Sequence, residues 1–84
     1  MNDQAAVKQV EWKPTKAGGW HCRSLPVRDG VLAAGIVRPG RDGRFSFVLF
    51  GRRGRMLCRW TSGYPDEAGA MRAAEEQAAR TDNR

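Results

Sequence analysis

In residues 44–50, RFSFVLF, the side chains of Phe45, Phe47 and Leu49 recur at every second position. Met56, Cys58 and Trp60 do the same in residues 55–61, RMLCRWT. Alternation with a period of two marks a strand with one buried face. After Gly63 the spacing changes, and Ala68, Met71, Ala74 and Ala78 recur at helical intervals. Glycine and proline punctuate the chain at 17–19, 26–30, 39–43, 51–54 and 63–65, with short β-branched and aromatic segments between them. Such spacing reads as a meander of short strands. It predicts strands over residues 7–13, 19–25, 31–38, 44–50 and 55–61, then a helix over residues 65–80. Pro65 suits a first helical turn, where its missing N–H is no loss. Asp66 and Glu67 follow where the helix dipole favours negative charge. The fold class is therefore α+β: an antiparallel four- or five-stranded meander with one C-terminal helix packed on one face. Residues 7–80 form the single domain, and the polar segments 1–6 and 81–84 read as frayed tails.

The last two strands complement each other if residues 51–54, GRRG, form the turn between them. Phe50 then faces Arg55, Leu49 faces Met56, Phe47 faces Cys58 and Phe45 faces Trp60. The last three pairs share one face, because side chains alternate along a strand. The alanine stripe of the helix covers that face closely, and Gly69 is explained if it permits the approach. The preceding turn, residues 39–43, PGRDG, is open to two readings: a tight turn on Asp42-Gly43 or a five-residue loop. These face the third strand oppositely. One helix covers one side of the sheet, so Val48, Phe50 and Leu57 are left on the other. They are joined there by either Leu32, Ala34 and Ile36 or Val31, Ala33 and Val37. An apolar patch of this extent marks an interface, and self-association as a homodimer is the expectation. The competing cover is the N-terminal segment with Val7, Val10 and Trp12 folded back over it.

At 84 residues the chain is one small domain with a core of about a dozen side chains. No apolar run reaches the roughly 18 residues that span a bilayer. The opening MNDQAAVKQ has neither the basic start nor the apolar stretch of a secretory signal. The expectation is a cytoplasmic protein, away from membranes, with Cys22 and Cys58 as free thiols. The net charge is +6, and residues 38–59 alone hold seven arginines against a single acid. The chain carries twelve arginines against three lysines, beside eleven alanines and ten glycines. A GC-rich genome would produce that bias by itself, so clustering carries more weight than the total. A concentrated basic patch draws in polyanions.

Little else in the sequence points to chemistry. His21 and Cys22 are strand neighbours and point to opposite faces, and zinc needs three or four ligands. The same geometry rules out a Cys–His nucleophile. Asp29 and Asp42 precede glycines and read as turn residues, while five of the nine acids lie in residues 66–82 on a solvated helix. No glycine-rich turn has the Gly-Lys-Ser or Gly-Lys-Thr of a phosphate loop. The expectation is a protein that is not an enzyme, with no cofactor and no metal. The arginines remain: Arg41, Arg44, Arg52, Arg53, Arg55 and Arg59 are the candidate nucleic-acid-binding residues. Their competing role is to protect strand edges from aggregation. Trp12 and Trp20 read as caps over the open side of the core rather than as stacking platforms.

From Arg44 onward the chain resembles the end of a double-stranded RNA-binding domain. The matching stretch is a strand (RFSFVLF), a turn (GRRG), a strand (RMLCRW) and the alanine-rich TSGYPDEAGAMRAAEEQAA. The resemblance implies a sheet backed by a helix. It departs at the helix start, where that family has phosphate-holding lysines and this chain has Pro65, Asp66 and Glu67, and the family's first helix has no counterpart. A looser similarity, through Trp12, Trp20 and residues 66–76, is to small phage- and prophage-encoded proteins with a sheet meander and a terminal helix; it implies an accessory role. Two functions are expected from these readings. The first is a small non-catalytic module that binds nucleic acid or another polyanion through a basic β-hairpin. The alternative is a phage-type accessory protein that docks on another, acidic protein.

Overall fold

The computed structural model describes residues 10–83. The strands β1 (Lys13–Pro14), β2 (Trp20–Leu25), β3 (Ala33–Pro39), β4 (Phe45–Phe50) and β5 (Met56–Tyr64) precede one helix, α1 (Glu67–Ala79). The strands form one sheet in the order β1-β2-β3-β4-β5, each antiparallel to its neighbours. This is the expected α+β meander with a C-terminal helix. Of the first predicted strand, residues 7–9 lie outside the described residues, as do the segment 1–6 and Arg84, and among the described residues pairing begins at Lys13. No helix among the described residues is long and apolar enough to cross a membrane.

The turn between β3 and β4 resolves the facing of β3. The Gly40 amide donates to the Arg44 carbonyl at 2.7 Å, closing a three-residue loop of Arg41, Asp42 and Gly43. Asp42 Oδ1 accepts from the Arg44 amide at 3.0 Å, and Gly43 takes φ +81°, a value that favours glycine. The register that follows sets Val37 opposite Phe47 and Gly35 opposite Leu49. Val37 and Ala33 therefore point toward the helix, and Ala34 and Ile36 point away.

The core lies between the sheet and α1. It comprises Cys22, Leu25, Val27, Ala33, Val37, Phe47 and Leu49 from the sheet side, with Ala70, Ala74 and Ala78 from the helix. The buried helical stripe runs at intervals of four through Ala70, so the expected Ala68 is instead exposed. Methyl-sized side chains let the helix axis approach the strands, and Met71 and Ala73 flank the contact. Gly35 is required by crowding among the side chains of this face, since a Cβ there would meet Leu25 and Trp12. Trp12 and Trp20 pack against this cluster, and Trp12 Nε1 donates to Glu75 Oε2 at 2.9 Å. Both tryptophans are half-buried at the margin of the core, and the Trp12 indole N–H has found its acceptor.

The β4–β5 register differs from the expected one. Phe50 faces Met56, Leu49 faces Cys58, Phe47 faces Thr61 and Phe45 faces Tyr64. Nine residues of β5 run against six of β4, and the extra residues enter as three register shifts. Each shift places two β5 residues against one partner and bends the strand. In the middle one, Arg59 and Trp60 together oppose Val48. Trp60 consequently leaves the helix side, and Tyr64 takes its place, its ring 5.8 Å from that of Phe47. The expectation that Phe45 and Trp60 share a face fails for this reason: strict alternation does not survive a bulge. Leu57 also moves, packing against the core cluster instead of joining Val48 and Phe50.

The helix begins two residues later than expected. Asp66 is its N-cap in extended conformation, and Oδ1 accepts from the Gly69 amide at 2.7 Å. Gly69 serves this cap, because a Cβ there would crowd the Asp66 carboxylate. Beyond α1, residues 81–83 are docked rather than frayed. The Thr81 carbonyl accepts from the Arg28 amide at 2.9 Å, and Arg28 Nε meets Asp82 Oδ1 at 3.1 Å. Hydrogen bonding to Asp82, and then its charge, raise the Arg28 pKa above its ordinary value. Asn83 is 1 % exposed. Its Oδ1 accepts from the Arg52 amide at 2.9 Å, its Nδ2 donates to the Leu32 carbonyl at 2.8 Å, and its amide donates to Asp29 Oδ2 at 3.0 Å. A side chain at Gly51 would occupy the space of the Asn83 carboxamide.

Candidate nucleic-acid interface

Side-chain alternation and the registers define the sheet face away from α1. β3 contributes Ala34, Ile36 and Arg38, and β4 contributes Ser46, Val48 and Phe50. β2 contributes His21, which faces Lys13 of β1 on one side and Ile36 of β3 on the other. Arg23 follows on the same side, in a register shift opposite Ala34. β5 completes the surface with Met56, Arg59 and Trp60. The centre is apolar and the border is cationic. Each strand supplies one to three side chains, and among the described residues no strand residue of this face is acidic.

The centre is better sheltered than an uncovered face would suggest. Val48 has 0 % exposure although α1 lies on the other face, and the bulge sets Arg59 and Trp60 against it. Trp60 remains 37 % exposed and Met56 50 % exposed. The Arg38 guanidinium stacks over the Trp60 ring with its carbon 4.1 Å from the centroid. Such a contact contributes about 0.5–1 kcal/mol at an exposed site.

The six arginines singled out from the sequence divide into three groups. Arg52 and Arg53 occupy the turn after β4, in a 3-10 segment (Arg52–Gly54) where Arg53 takes a left-handed φ of 57°. Asn83 braces this turn through the Arg52 amide. Arg55 is exposed beside it. Arg41 and Arg44 lie at the opposite end of β4, and Arg44 Nη1 donates to the Gly63 carbonyl at 3.1 Å, supporting the last bulge of β5. Of the six, Arg59 stands on the open face beside its apolar centre. The structure thus does not gather the six into one patch.

Lys13, His21 and Arg23 are the face residues that charge clustering missed, and Arg38 lies inside the arginine-rich segment 38–59 but outside the six singled out. They are dispersed along the sequence, one or two to a strand, and only the registers bring them together. Arg38 would have followed from the sequence once the turn at 40–44 was known. Of the three residues expected to drive self-association, Val48 is fully enclosed, Leu57 belongs to the core side and Phe50 alone remains on the open face. His21 and Cys22 point to opposite faces, and both cysteines are free thiols. Among the described residues no group of three or more His, Cys, Asp or Glu is placed to hold a metal ion.

The acids lie elsewhere. Asp66, Glu67, Glu75 and Glu76 sit on or before α1, and Asp29 and Asp42 sit in turns. Asp82 pairs with Arg28, and among the described residues Glu11 is the one acid beside the open face, lining a depression with Lys13 and His21. Comparison with known proteins finds no matching family model, no matching curated protein and no matching solved structure.

Proposed function

We propose that this protein is a small binding module for nucleic acid that uses the open face of the sheet. The observation that carries the reading is charge segregation across the sheet. Lys13, Arg23, Arg38 and Arg59, with Glu11 as the one acid beside them, border an apolar centre on one side, while on the helix side Asp66, Glu67, Glu75 and Glu76 outnumber Arg72 and Arg80. A polyanion approaching such a molecule is drawn to one side and repelled from the other. The arginine-rich turn after β4 extends the basic surface at one end, so the basic hairpin becomes the margin of a larger site.

The test is binding to mixed single- and double-stranded oligonucleotides at two salt concentrations. The paired changes Arg38→Glu with Arg59→Glu should abolish most of the affinity at low salt. Neutral changes at the same positions should reduce the salt slope by about 0.7–0.9 for each phosphate left without a cation. Changing Arg52 and Arg53 to Glu should have a smaller effect, and Glu76→Gln on the helix none. Absence of binding at low salt, or indifference to Arg38 and Arg59, rejects the proposal.

A second reading is favoured by the exposure of Met56 and Trp60. Arginine, methionine and aromatic residues are enriched at protein interfaces as well. On that reading the same face docks an acidic protein surface, in keeping with an accessory role of phage type. Failure of every oligonucleotide to bind would turn attention to it.

A further inference from the structure

Register aligns the open-face side chains into rows that run across the strands. One row reads Lys13, His21, Ile36, Val48 and then Arg59 with Trp60. It begins and ends on cations and is aliphatic between them. Its ends lie four strand spacings apart, or about 19 Å. The adjoining row toward the turn after β4 carries Arg23, Ala34, Phe50 and Met56. At the β1 end the surface is hollowed into a depression of about 320 Å3, lined by Glu11, Lys13, His21, Cys22, Arg23 and Ser24. At the β5 end stands the Arg38–Trp60 stack.

The geometry points to a single-stranded nucleic acid as the ligand of this face, lying across the strands with a base on the Trp60 platform and phosphates at the Lys13, His21 and Arg23 depression. This rests on reading the open face as a nucleic-acid surface and narrows it to one class of ligand. The groove edges of a duplex present hydrogen-bond donors and acceptors, which Ala34, Ile36, Phe50 and Met56 cannot match. Unpaired bases present flat π faces, which an apolar centre with an exposed indole does match. Arg38 covers one face of the indole, so the base stacks on the opposite face or on the guanidinium plane itself, with the cation next to it in either case. A second copy of the chain is a poorer occupant. A two-fold contact through this face would set Lys13, Arg38 and Arg59 against the same cationic border on the partner.

Fluorescence anisotropy with single strands of about ten nucleotides, and with duplexes of the same sequence, tests the inference. Single strands should bind at least roughly tenfold more tightly than duplex at equal salt. Trp60→Leu should weaken single-strand binding by roughly tenfold or more, leave weak duplex binding within about twofold, and be largely rescued in Trp60→Phe. Thermal unfolding of both variants verifies that the fold is retained. If Trp60→Leu does not fold, quenching of indole emission in the wild-type protein, absent in Trp60→Phe, supplies the same readout. Preferential binding of duplex overturns the single-strand inference and leaves the nucleic-acid reading standing. Binding that depends on Arg38 and Arg59 but not on an aromatic ring at position 60 does the same. Binding of neither strand form overturns both.

Discussion

On the face under α1, Val37, Phe47 and Leu49 meet Ala70, Ala74 and Ala78 and are sealed from water. On the other face the same strands present Ile36, Val48 and Phe50 within a border of lysine, histidine and arginine. The first arrangement fills space with complementary shapes and contains no charge. The second leaves Met56 and Trp60 open to solvent although the sheet has apolar area that a second helix would cover. In a domain this small every buried side chain is a large share of the total stability. Apolar surface that the described residues leave uncovered and ring with cations is what the proposed ligand would cover. The two faces also differ in tolerance: one is constrained by packing, the other by charge.

The largest expected effect lies in the sealed face. Leu49→Ala should destabilise the protein by about 2–5 kcal/mol, because it removes a side chain with no exposure and leaves a cavity. Met56→Ala on the open face should change stability by only about 0.5 kcal/mol or less. Urea unfolding of both variants measures the contrast. Equal losses would mean that the open face is a second core. The next effect adds volume instead of removing it. Ala74→Leu should cost about 1–3 kcal/mol by forcing α1 off the sheet. Ala34→Leu, against Phe50 on the open side, should be close to neutral. Thermal unfolding distinguishes these outcomes.

The C-terminal residues sharpen the comparison differently. Asn83→Ala should cost about 1–3 kcal/mol, because the Arg52 amide and the Leu32 carbonyl each lose a buried partner. The loss should be visible as faster amide exchange in the turn after β4. If unfolding shows no change, residues 81–83 do not brace that turn.

The architecture was legible because each segment carries its own period. Alternation in residues 44–50 and the spacing of Ala74 and Ala78 are properties of short windows, and glycine and proline mark the joints. Register was not legible, because a bulge is a tertiary compromise. Gly63, an isolated glycine within a strand, was a sequence signal for one of the three shifts in β5. The shift at Arg59 and Trp60 carries no such marker, and it is the one that moves an indole from the expected core to the open face. Asn83 was unreadable for a related reason. Its burial depends on partners 31, 51 and 54 residues away, whereas its composition alone resembles any polar tail. The site followed the same rule. Clustered arginines in the turns were conspicuous, while Lys13, His21 and Arg23 joined Arg38 and Arg59 on one face only through pairing.

The smallest effect is the most informative about the open face. Arg38 and Trp60 come from β3 and β5 and lean together across β4, so their contact crosses a strand instead of following from pairing. A double-mutant cycle with Arg38→Gln and Trp60→Leu should give a coupling of about 0.5–1 kcal/mol in the unliganded protein. That is far below the loss expected at Leu49. A contact held for stability alone would be expected to be stronger and buried. A coupling near 1 kcal/mol or below, joined to a much larger effect of the same substitutions on oligonucleotide affinity, assigns the pair to the ligand. A coupling of several kcal/mol with no effect on affinity would instead make the stack a structural clasp on the edge strand β5, and the contrast between the two faces would lose its functional meaning.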